Sequence, residues 1–222
     1  MMIIRTHGRN SDCGRKGGRH LKQCAVALLL FGIWFGVGVL PAPAGGGIFE
    51  IFDDSFESPV MSGRLEMEVP GWWRSNSRVG LWNEDSGTMT TPHGNQALWI
   101  WHDRYATTTN ITDTMVVGAT YTLSFNVAAE SALGGIQYRA ELLAGTNVLA
   151  YSDGGPVGSS DFSATTGSVN FVSTTNSPGL GEALGIRLRY VSGDWQYVIG
   201  FDNVRLVADE PAEWGRTLFY GK

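Results

Sequence analysis

The chain has 222 residues, 43% of them hydrophobic, with 16 basic and 21 acidic side chains and a formal net charge of −5. Six of the bases and one acid, Asp12, precede residue 25, so residues 45–222 carry 10 bases against 20 acids, a net charge of −10. That balance repels phosphate backbones and anionic lipid headgroups, and excludes nucleic acid and the membrane surface as expected partners.

The basic residues of the first segment, Arg5, Arg9, Arg15, Lys16, Arg19 and Lys22, lead into an uncharged run from Ala25 to Leu40 and then into Ala42-Pro43-Ala44. A basic start, an apolar run and a small-x-small exit predict a secretory signal peptide over 1–44. The competing reading is an uncleaved anchor. The run is shorter than the roughly 20 residues a bilayer core requires, and Gly32, Gly36 and Gly38 interrupt it. Cys13 and Cys24 both fall in this segment, so the exported part, secreted or at the cell surface, is expected to fold without disulfides. Its length suits one domain, 45–208, followed by a tail over 209–222.

In chain order, strands are predicted over Ile48–Phe52, Gln96–Trp101, Tyr121–Val127, Ile136–Leu142, Asn147–Tyr151, Ser168–Val172, Leu184–Tyr190 and Tyr197–Leu206. Period-two alternation is the signal: Tyr121, Leu123, Phe125 and Val127 interleave with polar residues, as do Leu184, Ile186, Leu188 and Tyr190. The connections are rich in turn formers, including Gly154-Gly155-Pro156 and Ser177-Pro178-Gly179. Short half-buried strands separated by turns predict an all-β antiparallel sandwich or barrel. In the last strand Ile199 and Phe201 share a phase that Val204 and Leu206 break, so a β-bulge is expected at Asp202-Asn203.

The order of motifs carries a resemblance. Ser55-Phe56-Glu57-Ser58-Pro59 is followed by Val69-Pro70-Gly71-Trp72, Val79-Gly80-Leu81-Trp82, Pro92-His93-Gly94-Asn95-Gln96-Ala97-Leu98 and Val117-Gly118-Ala119-Thr120-Tyr121-Thr122-Leu123-Ser124-Phe125, and the domain closes on Phe201-Asp202-Asn203-Val204-Arg205-Leu206. Over about residues 48–208 this resembles the galactose-binding-like jelly rolls, specifically the carbohydrate-binding modules of families 4, 9 and 22, which also occur in exported bacterial proteins with C-terminal sorting signals. Here Asp209-Glu210-Pro211 leads to no such signal, and no enzymatic domain accompanies the module, so a stand-alone module is implied. The resemblance also implies a structural Ca²⁺ held by Glu57 and Asp202; the bland alternative is a surface acid and a bulge residue.

For the polysaccharide or glycan that such a module binds, the candidate contacts are aromatic platforms with polar neighbours. Trp99 and Trp101 share one face of a strand whose other face carries Leu98 and Ile100, and Tyr105 lies just beyond. Gln137, Arg139 and Arg187, with Glu141 and Arg189, occupy the polar phases of two neighbouring strands. Against this stands the ordinary fate of a large Trp, which is core or edge cover. Trp72 and Trp82 beside tight turns are expected to plug the sandwich. No nucleophile elbow, zinc spacing or phosphate loop occurs, and Glu66 and Glu68 read as solvated acids, so no catalytic residue is assigned. The expected function is non-catalytic carbohydrate binding. A structural or adhesive protein with a cell-surface protein partner, and a small polysaccharide-active enzyme, stand as alternatives.

Overall fold

The computed structural model describes residues 46–61, 65–66, 68–83, 90–108, 110–131 and 135–211; the predicted leader over 1–44 and the tail beyond 211 lie outside them. Twelve strands run through the described residues: β1 (Gly47–Asp54), β2 (Leu65–Glu66), β3 (Trp72–Arg74), β4 (Val79–Asn83), β5 (Gln96–Trp101), β6 (Tyr105–Thr108), β7 (Thr120–Ala129), β8 (Gln137–Ala144), β9 (Asn147–Gly154), β10 (Thr166–Val172), β11 (Leu184–Ser192) and β12 (Val198–Glu210). They form two antiparallel sheets. One has the order β10-β7-β12-β5-β4-β2 with β1 also paired to β12; the other has the order β3-β6-β11-β8-β9. The fold is an antiparallel β-sandwich of the jelly-roll type.

The alternating strands bury the phase that the sequence marks as apolar. Leu123, Phe125 and Val127 of β7 meet Tyr138, Ala140 and Leu142 of β8, with Ile186, Leu188 and Tyr190 of β11, in one core between the sheets. Phe125, Phe201 and Tyr138 stand at 5.7–5.8 Å centroid separations in edge-on contacts, so rings from both sheets interlock. Gly154 makes room for that group, because a Cβ there would lie 2.3 Å from the Tyr138 ring. β2, β3, β4 and β6 are the strands that alternation did not indicate; β2 has only two residues. β3 and β6 have three and four residues, too few for a period, and β4 is buried on both faces over Val79–Trp82.

Strand β12 organises the larger sheet. One edge pairs with β7 along nearly its whole length. The other edge pairs with β5 from Val198 to Phe201, then with β1 from Val204 to Glu210. The register shift against β7 falls between Asp202 and Arg205, and Asn203 has φ +49°, so the expected bulge sits where one neighbour gives way to the next.

Phe201 is fully buried between two other rings. Phe201→Ala is expected to cost about 3–5 kcal/mol, read as a lower denaturant midpoint at unchanged m-value.

Candidate functional site

Two regions concentrate polar chemistry, and they are built differently. The first is the fork in the larger sheet, where β1 and β5 part on the same edge of β12. Gln96, which opens β5, ties the region together. Its side-chain Nε2 donates to the carbonyls of Phe56 (2.6 Å) and Pro59 (2.9 Å), and its Oε1 accepts from the Met61 amide at 2.6 Å. Glu57 Oε1 accepts from the amides of Asn95 (2.9 Å) and Gln96 (2.7 Å). Gly94, at φ +69°, lets Glu57 lie against the turn, since a Cβ there would fall 2.1 Å from the carboxyl carbon. Asp54 accepts from the Phe56 amide and the Trp72 indole, both at 2.8 Å.

Asp202 is fully buried at this fork. Its Oδ1 accepts from the Asn203 amide at 2.6 Å, while its Oδ2 has no hydrogen-bond partner among the described residues. Burial pushes its carboxyl up to about 7; the amides of Asn203 and His93 oppose the shift, and the charges of Glu57 and Asp54 add to it. Burial likewise raises Asp54. A buried, unpartnered carboxylate oxygen facing other acids fits a hard cation and its oxygen donors. Among the described residues no three His, Cys, Asp and Glu side chains converge as a metal cluster, so carbonyls and water would have to supply most of the shell.

The second region is the outer face of the five-stranded sheet. Register places Trp73 (β3), Thr107 (β6), Arg187 (β11), Glu141 (β8) and Tyr151 (β9) in one row straight across it. Tyr105, Arg189, Arg139 and Asp153 form the adjacent row. Trp73 is 52% exposed and its ring lies 5.5 Å from that of Tyr105. The guanidiniums of Arg187 and Arg189 lie over the Tyr105 ring at 5.7 and 5.8 Å. Arg187 Nε donates to Glu141 Oε2, and Arg189 reaches Glu141 Oε1 at 3.6 Å. Glu141 is buried beneath them, with its side chain 3% exposed. Arg139 grips Asp153 through two hydrogen bonds of 2.6 and 2.8 Å and stacks on Tyr151 at 4.1 Å. That pairing holds Asp153 below the usual carboxylate range.

Of the predicted contacts, Tyr105, Gln137, Arg139 and Arg187 therefore come together on this sheet, with Gln137 exposed at the start of β8. Trp99 and Trp101 do not join them, because β5 belongs to the other sheet. Leu98 and Ile100 point inward as expected, but the outward face is covered: Trp99 is 2% exposed, packs with Trp82, Ala97, Ala128 and Phe162, and donates from Nε1 to the Leu81 carbonyl at 2.9 Å. Trp101 is half-buried and donates to the Trp195 carbonyl at 2.5 Å. The structure thus gives both a packing role. Trp73, Tyr151 and Asp153 escaped the sequence reading. The Trp72-Trp73 pair was the available signal, since neighbours in a strand face opposite ways and Trp72 is the buried one.

The family model described as HpiC1 cyclase, of the HpiC1-like family, matches residues 48–207. The chain belongs to the HpiC1-like family. Two solved relatives come from Fischerella sp. A Stig cyclase, Fisc, in complex with (3Z)-3-(1-methyl-2-pyrrolidinylidene)-3H-indole is 26% identical, with a TM-score of 0.63 over 75% of this chain and 100% of that one. A cyclase in complex with 4-(1H-indol-3-yl)butan-2-one is 25% identical, with a TM-score of 0.59 over 74% of this chain and 99% of that one. No curated protein matches.

Membership in the HpiC1-like family corrects the functional expectation. The resemblance to carbohydrate-binding modules holds for the sandwich fold, but the family is one of cyclases, so the reading as a non-catalytic module, and with it the adhesive alternative, is set aside. The solved relatives hold small indole compounds, which overturns polysaccharide and cell-surface protein as the expected partners. The error has a physical source: a shared sandwich with its termini tied at one fork produces the same motif order whatever its outer face does.

In metal-free protein the Asp202 carboxyl binds its proton more tightly folded than unfolded. Its contribution to stability is full below pH about 4 and is lost as pH rises through about 7, on the order of 4 kcal/mol in all. With chelator present, the denaturant midpoint is expected to fall between about pH 4 and about pH 7, and Asp202→Asn should flatten that slope.

Proposed function

We propose that this chain is a cyclase acting on a small aromatic, indole-type molecule, and that the outer face of the five-stranded sheet is where the substrate binds. The observation that carries the placement is the Trp73–Tyr105 pair beside a fixed array of guanidiniums. Family membership supports the reaction class, and the indole ligands of the solved relatives support the substrate class.

The face offers what ring closure on an aromatic substrate needs. Trp73 and Tyr105 present ring surface for stacking, which orients the substrate and disperses positive charge that develops on it. Glu141 is too deeply buried to touch a ligand; it is a positioning residue that holds Arg187 and Arg189. Proton movement falls to a phenol. The Tyr105 hydroxyl makes no hydrogen bond to any described residue, and it lies on the one ring that Trp73 and both arginines share.

The fork takes a supporting role in the same proposal. Glu57 and Asp202 would hold a Ca²⁺ there, neutralising the buried carboxylates and fixing the hand-over between β5 and β1. Export through the predicted leader completes the reading.

Tyr105→Phe is expected to keep affinity for 4-(1H-indol-3-yl)butan-2-one in calorimetry while lowering the rate of ring closure by about 10²–10⁴-fold. Trp73→Ala should weaken that binding by about tenfold or more. Wild-type affinity in Trp73→Ala would remove the site from this face. Calcium at about 100 times its Kd should stabilise the protein by about 2.7 kcal/mol, and Asp202→Asn should abolish the effect.

A further inference from the structure

Basic side chains are outnumbered two to one by acids in this domain. Residues 45–222 carry 10 basic side chains against 20 acidic ones, yet Arg139, Arg187 and Arg189 occupy neighbouring positions of two paired strands. Their local counter-charges are Glu141 and Asp153. Asp153 is engaged by both of its oxygens with Arg139. That leaves one buried carboxylate, Glu141, between two guanidiniums, and a local excess of one positive charge in an acidic domain.

Packing alone does not require this. One guanidinium with its fork of donors is enough to pair a buried carboxylate. Arg187 supplies that bond through Nε. Arg189 only approaches Glu141, at 3.6 Å, and donates no hydrogen bond to a described residue. Its side chain is 39% exposed, against 26% for that of Arg187, and both guanidiniums lie over the ring of Tyr105 next to Trp73. Keeping two like charges against one ring costs repulsion, and an anion seated between their free edges would reverse it. The exposed indole of Trp73, packed beside Tyr105, offers ring surface for an aromatic body next to that pair of arginines.

We infer that the ligand of this face carries a carboxylate or an equivalent oxyanion close to its aromatic ring, held by the free edges of Arg187 and Arg189 while the ring stacks on Trp73 and Tyr105. The inference rests on the proposed placement of the site and narrows its substrate class from indoles in general to anionic ones. Guanidinium is the cation suited to the task, since it presents paired donors to a carboxylate and stacks on an aromatic ring at the same time.

The test is a calorimetric comparison of indole-3-acetate with its neutral isostere indole-3-acetamide on the full chain. The acid should bind about tenfold or more tightly than the amide at low salt, with the gap narrowing as salt is raised. In Arg189→Gln the gap should fall below about threefold. Arg187→Lys keeps a cation above Glu141 and serves as the second variant; it should lose most of the preference through loss of the paired donors. Equal binding of acid and amide by wild type, or a preference that survives both substitutions, overturns the inference while leaving the site in place, provided Trp73→Ala still weakens binding of the amide by about tenfold or more. Failure of both probes to bind overturns the placement of the site and the inference with it.

Discussion

Strand β12 must satisfy two neighbours in succession on one edge, β5 up to Phe201 and β1 from Val204 onward, and the two residues between them belong to neither pairing. A backbone crossing such a fork leaves polar groups unpaired, and buried ones must find partners elsewhere. The bulge at Asp202-Asn203 meets this by turning Asn203 into the left-handed region and driving the Asp202 carboxyl inward. Glu57 and Gln96 close the gap from the other side, bonding the turn before β5 to the segment after β1. Both sheets inherit their alignment from this junction, because β12 also carries Phe201, whose ring meets Phe125 and Tyr138.

That division of labour leaves the remaining surface free for chemistry. The larger sheet spends its outward tryptophans on structure, with Trp99 and Trp82 sealed in a second small core. The smaller sheet leaves Trp73 and Tyr151 at 52% and 55% exposure, and interleaves them with salt-bridged arginines. Rigid strands rather than loops hold these exposed aromatic faces beside the arginines. The fold constrains where a site can be, and the outer-face side chains decide what it does.

Much of this was legible in one dimension. Alternation along β5, β7, β8 and β11 marks the buried phase of each strand, because successive side chains of a strand point to opposite faces whatever the neighbours are. The phase break in β12 announced the bulge at Asp202, and the motif order announced the sandwich. Which outward faces stay exposed could not be read this way. Trp99 and Trp73 both point away from the main core, and only the segment around Phe162 packing over the larger sheet separates their fates. The row from Trp73 to Tyr151 joins residues up to 114 positions apart, between Trp73 and Arg187, through four inter-strand registers. Local sequence determined the face each side chain takes within its strand. Tertiary structure alone decided which strands became neighbours, because cross-strand register depends on turns and pairings distant in the chain.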